Sequence, residues 1–178
     1  GGISRYFVEL ARNISLLKKN EDVVKIVSPI HINYYLSKDI NNFFFQGFKI
    51  PDFKSSGRIC NFINSLLAPI ILNVFDPDLI HDTYYNSIKY NKSRVKKIIT
   101  VHDMTHELFS DQFSKTDKTS EMKRVAIKEA DHIICVSKNT QKDLLKIFNV
   151  NIDKTSVVHH GYSLFVKNEI KHESSDKP

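Results

Sequence analysis

The chain has 178 residues, of which 41% are hydrophobic and 26% charged, with a formal net charge of +6 and a pI near 9.2. That length is one domain, large enough to bury about 70% of the surface its unfolded form exposes, and the composition excludes disordered and collagen-like classes. No uninterrupted apolar run reaches the roughly 18 residues that span a bilayer: the longest, 59–75, is broken by Asn61, Asn64, Ser65, Pro69 and Asn73, and no secretory leader pattern is present.

The opening GGISRYFVEL places two glycines before a helical pattern. Ser4 is a capping residue type, and Tyr6, Phe7, Leu10, Ala11, Ile14 and Leu17 recur at three- and four-residue steps. This predicts an amphipathic helix ending near Lys19. Residues 23–27 form a β-branched run closed by Ser28-Pro29, hence a strand. Residues 43–50 are aromatic-rich and extended, ending at Pro51. A second helix is expected over 57–74, with Pro69 inside it to kink or divide it. After the turn Asp76-Pro77-Asp78, residues 79–81 are a short strand and 95–101 (VKKIITV) a clear one. The polar stretch 110–119 reads as a loop. Then come a helix over 120–130, a strand over 132–136 and a helix capped by Ser137 with Leu144, Leu145, Ile147 and Phe148 on one side. The last strand covers 155–159, and the polar segment 163–178 is expected to be a tail or linker. Alternating strands and helices, with several strands apolar throughout, predict an α/β Rossmann-like, doubly wound, mostly parallel sheet covered by helices on both faces.

In such sheets, ligands bind beyond the carboxyl ends of the strands. A glycine pair there lets backbone N–H groups approach an anion, and the following helix offers unsatisfied donors. Gly1, Gly2 and Arg5 are therefore candidate phosphate contacts, although the pair is neither a G-x-G-x-x-G fingerprint nor a P-loop. His102 and Asp103 end VKKIITV, and His81-Asp82 end the strand before it. An imidazole exchanges hydrogen bonds with hydroxyls at neutral pH, and a carboxylate can take a hydroxyl proton. His102 and His106 are four apart, but no third ligand is evident, so no metal site is expected. Cys60 and Cys135 match no zinc or redox spacing and read as buried free thiols in a reducing compartment. The basic surface suits an anionic membrane, a phosphorylated small molecule or nucleic acid, or is simply solvated. The lysines are not interleaved with aromatics, which argues against nucleic acid.

The segments GGISRYFVEL, LIHDTYY, IITVHDMTHELFSDQFS, AIKEADHIICVSKNTQKDLLKIFNV and TSVVHHG occur in that order. Together they resemble the amino-terminal, acceptor-side domain of the family 4 glycosyltransferases, over residues 1–162, and GGISRYF is similar to bacterial polysaccharide and O-antigen (lipopolysaccharide) mannosyl- and rhamnosyltransferases. The resemblance implies half of a two-domain GT-B fold. It implies a hexosyltransferase that needs no cofactor and moves a sugar from a nucleotide diphosphate sugar to an acceptor hydroxyl with retention, at the cytoplasmic face of the membrane. By the same resemblance, Gly1, Gly2 and Arg5 lie near the donor diphosphate, and His102, with Asp103 beside it, faces the donor sugar. Tyr84, Tyr85 and His106 are implied contacts for a glycan or lipid-linked acceptor.

The strand that precedes the glycine turn in that family and its carboxy-terminal donor-binding domain have no counterpart in this sequence. The resemblance therefore implies a fragment inactive by itself, partnered by its own second domain. A non-catalytic sugar- or phosphate-binding module of the same fold is the alternative reading; it would keep the glycine turn without needing a reactive His102.

Overall fold

The computed structural model describes residues 2–17, 23–37, 47–85, 90 and 92–161. Their elements run α1 (Gly2–Leu17), β1 (Ile30–His31), β2 (Phe48–Lys49), α2 (Ser56–Phe75), β3 (Leu79–Asp82), β4 (Lys96–Val101), α3 (Thr105–Leu108), α4 (Thr119–Glu129), β5 (His132–Cys135), α5 (Lys138–Phe148) and β6 (Thr155–Val157). All strand pairings among the described residues are parallel: β1 with β2, and β3-β4-β5-β6 in that spatial order. Helices lie on both sides of the parallel sheets, the α/β Rossmann-like arrangement that the alternation of elements predicts.

The register fixes where chemistry can gather. Asp82 pairs with Ile99, Val101 with Cys135 and Cys135 with Val157. Because the strands are parallel, their carboxyl ends share one edge, and the residues following each strand form a common rim.

The main core is Ile99, Val101, Met104, Ala126, Ile127, Ala130, Ile133, Cys135 and Leu144, with Tyr85, Ile147, Phe148, Val150 and Val157 against it. Ile133 and Cys135 alternate inward along β5, as a period of two requires. Ser137 caps α5, its hydroxyl accepting from the Thr140 amide at 3.0 Å. A smaller cluster of Leu72, Tyr90 and Val95, with Val27 and Ile80, seats α2.

Several expectations need correction. Gly2 is already helical, so Ser4 lies within α1 and not at its cap. The 23–27 run adopts no strand, because no backbone ladder reaches it among the described residues; β1 forms at Ile30–His31 instead. Of the 43–50 stretch, 43–46 lies outside the described residues, as does 163–178, and only Phe48–Lys49 is strand. Helix α2 continues through Pro69. Proline there removes the hydrogen bond to the Ser65 carbonyl, but Ser65 is exposed and water can serve it. Residues 110–119 contain a 3-10 turn at Ser110–Gln112. Counting polar interruptions also understated α2: by length and mean hydropathy it is long and apolar enough to cross a membrane.

Candidate functional site

The first turns of α1 lie over the carboxyl rim of the four-stranded sheet. Tyr6 meets His102 edge-on with ring centroids 5.2 Å apart, and His160 likewise at 4.8 Å. Phe7 meets His81 at 5.1 Å and His102 at 6.0 Å. The rings of His102 and His160 stack 5.6 Å apart with an interplanar angle of 10°. Three imidazoles, carried by β3 and by the segments leaving β4 and β6, are thus collected beneath one helix. Gly2 is one turn, about 6 Å of helix rise, from Tyr6. The amino terminus of α1 and His102 share a rim.

The imidazoles differ in state. Burial, then the charge of His102, pushes the His81 pKa down to about 4, and its Nε2 is 2.8 Å from the Thr100 hydroxyl. Burial also lowers His102, His160 adds to the effect and Asp103 opposes it. Both rings are therefore neutral at pH 7, able to donate from one nitrogen and accept at the other. The His102 Nε2 is buried and has no hydrogen-bond partner among the described residues. A buried polar nitrogen left unpaired costs about 1–3 kcal/mol, which a bound hydroxyl would offset.

Asp103 has another task. Its carboxylate accepts from the Thr105 amide at 3.0 Å and so caps α3. Burial raises its pKa, but the Thr105 amide and hydroxyl, Lys123 and His106 outweigh that and hold it below the ordinary range. Its backbone carbonyl accepts from Lys123 Nζ at 3.0 Å. Lys123 is itself buried and donates to Glu107 Oε2 at 2.7 Å, with its ammonium 5.3 Å from the Tyr85 ring centre. One cation from α4 therefore fastens the segment after β4, α3 and the segment after β3.

The other expected contacts are scattered. Gly2 is exposed, and a Cβ added to it would meet nothing within 4 Å; Gly1 lies outside the described residues. Arg5 is partly buried and makes no ion pair among the described residues. The Tyr84 hydroxyl reaches Ser4 Oγ at 3.3 Å, tying the β3 end to α1. Tyr85 packs on the core, where burial, then the carboxylates of Asp103 and Glu107, push its phenol pKa up. His106 stacks on Phe113 at 4.0 Å and sits 3.5 Å from Asp117 Oδ2. No group of three His, Cys, Asp or Glu side chains among the described residues is arranged to hold a metal ion. The sequence reading missed Tyr6, His160, Lys123 and Glu107. Lys123 had a legible signal, since it shares a helical stripe with Ala126, Ile127 and Ala130.

Comparison with known proteins agrees with this architecture. No curated protein sequence matches significantly. A crystal structure of a glycosyltransferase from Rickettsia africae ESF-5 superposes with a TM-score of 0.53 at 18% identity, covering 90% of this chain. This chain spans 40% of the length of that one. The Glycosyltransferase Family 4 profile matches residues 1–164. By fold, by the order of its strand-end motifs and by that match, the chain belongs to Glycosyltransferase Family 4.

Proposed function

We propose that this chain forms the acceptor-side half of a two-domain enzyme that transfers a hexose from a nucleotide diphosphate sugar to a hydroxyl of a glycan or lipid-linked acceptor. The anomeric configuration is retained, no metal is required and the product is a bacterial surface polysaccharide. The observation that carries the reading is the buried Nε2 of His102, unpartnered among the described residues, beside the first turns of α1.

In this reading the exposed N–H groups at Gly2 and the Arg5 guanidinium hold the donor diphosphate, and among the described residues nothing lies within 4 Å of a Cβ built on Gly2. His102, neutral and clamped by Tyr6 and His160, hydrogen-bonds a hydroxyl of the donor sugar. The acceptor oxygen attacks the anomeric carbon as the carbon–oxygen bond to phosphate breaks. The departing phosphate oxygen takes the acceptor proton, so no protein base is needed and Asp103 is free to cap α3. Tyr84 at the rim suits an acceptor contact. Further donor contacts come from a second domain, and the piece alone does not turn over. Free Cys60 and Cys135 are compatible with a reducing compartment, and the reading has the enzyme act at the cytoplasmic face of the membrane.

The commitment of the Asp103 carboxylate to Thr105 also suits a non-catalytic sugar-binding module. His102→Ala in the full-length protein separates the two readings, assayed for turnover on a panel of nucleotide sugars and acceptors and for donor affinity. The enzyme reading expects turnover to fall about 100- to 1,000-fold. Unchanged turnover, or robust turnover by residues 1–178 alone, would contradict it.

A further inference from the structure

Helix α2 has two faces of opposite character. On one, Ser56, Cys60, Ala68 and Leu72 are buried. The Asn64 amide bonds both backbone groups of Ile30 in β1, at 3.0 and 2.9 Å, and the Leu72 carbonyl accepts from the Tyr90 hydroxyl at 3.2 Å. The other face turns Ile59, Phe62, Leu66, Ile70 and Val74 outward, from 40% exposed at Ile59 to 77% at Val74. Steps of three and four residues make these a single stripe, about 22 Å long. A contiguous apolar band of that length marks an interaction surface, whereas single exposed leucines do not.

The helix itself carries only basic charge, although Asp52, just before it, accepts from the Ser56 hydroxyl at 3.0 Å. From Phe53 to Phe75 the sequence contains no aspartate or glutamate, whereas Lys54 and Arg58 stand at the start of the helix. At the far end, Asp76 is paired with Lys92 and Arg94, and Lys25 lies 3.5 Å from the Phe75 ring centre. The more conspicuous basic run of the sequence is largely self-neutralised: Arg94 also meets Asp78, Lys96 meets Asp131 and Lys97 meets Glu129. An anionic surface is thus attracted at Lys54 and Arg58, where the apolar stripe begins.

We propose that α2 lies flat on an anionic lipid bilayer, its Ile59–Phe62–Leu66–Ile70–Val74 stripe entering the headgroup boundary and Lys54 and Arg58 resting on lipid phosphates. The helix is long enough to span, but its inner face is tied to β1 and Tyr90, so it seats on the surface. Anionic lipid supplies a countercharge that a second identical basic face lacks. The surface deepens the proposed reading and rests on its lipid-linked acceptor for its purpose; vesicle binding needs no turnover, so either idea can fail alone.

The test uses phosphatidylcholine vesicles with and without phosphatidylglycerol. The chain should bind the mixed vesicles and weaken with salt. Phe62→Asp with Leu66→Asp should lower binding about tenfold or more, and Lys54→Gln with Arg58→Gln about fivefold per charge removed. Far-UV circular dichroism checks that these outward substitutions leave the fold intact. The chain has no tryptophan, so Phe62→Trp is a mild second probe, expected to blue-shift on mixed vesicles and to be quenched by brominated lipid. Equal vesicle binding by wild type and variants, or a tryptophan that stays in water on bound protein, overturns the proposal. So does a stripe variant that loses only self-association in sedimentation.

Discussion

His102 has four ring neighbours or charges that set its behaviour: Tyr6, Phe7, His160 and the Asp103 carboxylate. After burial, His160 is the main influence lowering its pKa. Replacing that ring with a neutral side chain should move His102 upward. His160→Gln is expected to raise the His102 midpoint in an NMR titration toward the ordinary histidine value; an unmoved midpoint would show that the stacked rings are uncoupled. His81 makes a stability prediction. Its folded pKa, about 4, is below the ordinary value near 6.5, so the unfolded chain takes the proton first. The stability this provides is complete above pH 6.5 and is lost as pH falls from there through 4, by up to about 3 kcal/mol. Urea midpoints at pH 7 and 5 should drop in the wild type, and His81→Gln should remove most of that drop. The sequence made His102 legible because it ends an apolar strand. It could not show His160 stacked on His102, since they are 58 positions apart and only the parallel register of β4, β5 and β6 brings their strand ends together.

At the scale of elements, the short helix α3 and the helix α4 are joined by a pair that periodicity does not reveal. Lys123 and Glu107 have side chains 1% and 3% exposed. Removing one partner of such a buried pair leaves the other charge uncompensated, which costs roughly 3–5 kcal/mol. Lys123→Met should therefore lower stability by about that amount in urea unfolding and also loosen the segment carrying His102 and Asp103. Adding Glu107→Leu should recover part of the loss; a loss that simply adds would mean the two residues act separately. Binary pattern gave α1, α4, α5, β4 and β5 nearly in full, because each carries a complete stripe or alternation. It failed for α3, four residues whose first amide is held by the Asp103 carboxylate, and for 23–27, where strand-forming side chains join no ladder among the described residues.

For the whole molecule, parallel pairing does the decisive work. It turns four separate strand ends into one rim, where α1 brings Tyr6 and Phe7 against imidazoles from three different segments. The architecture was legible because alternation of strand and helix admits few topologies, and the resemblance to family 4 was legible in motifs several of which, such as those ending β3, β4 and β6, reach that rim. What escaped the sequence is the charge arrangement, since Lys92, Arg94, Lys96 and Lys97 look free in one dimension and are paired in three. The most direct measurement of the proposed function is a titration of the full-length protein, labelled at histidine ring nitrogens and glycine amides, with nucleotide diphosphate sugars. The His102 Nε2 and the Gly2 amide should shift together along one saturable curve. A nucleotide sugar that saturates the protein while leaving both signals in place would contradict the proposal that this rim receives the glycosyl diphosphate.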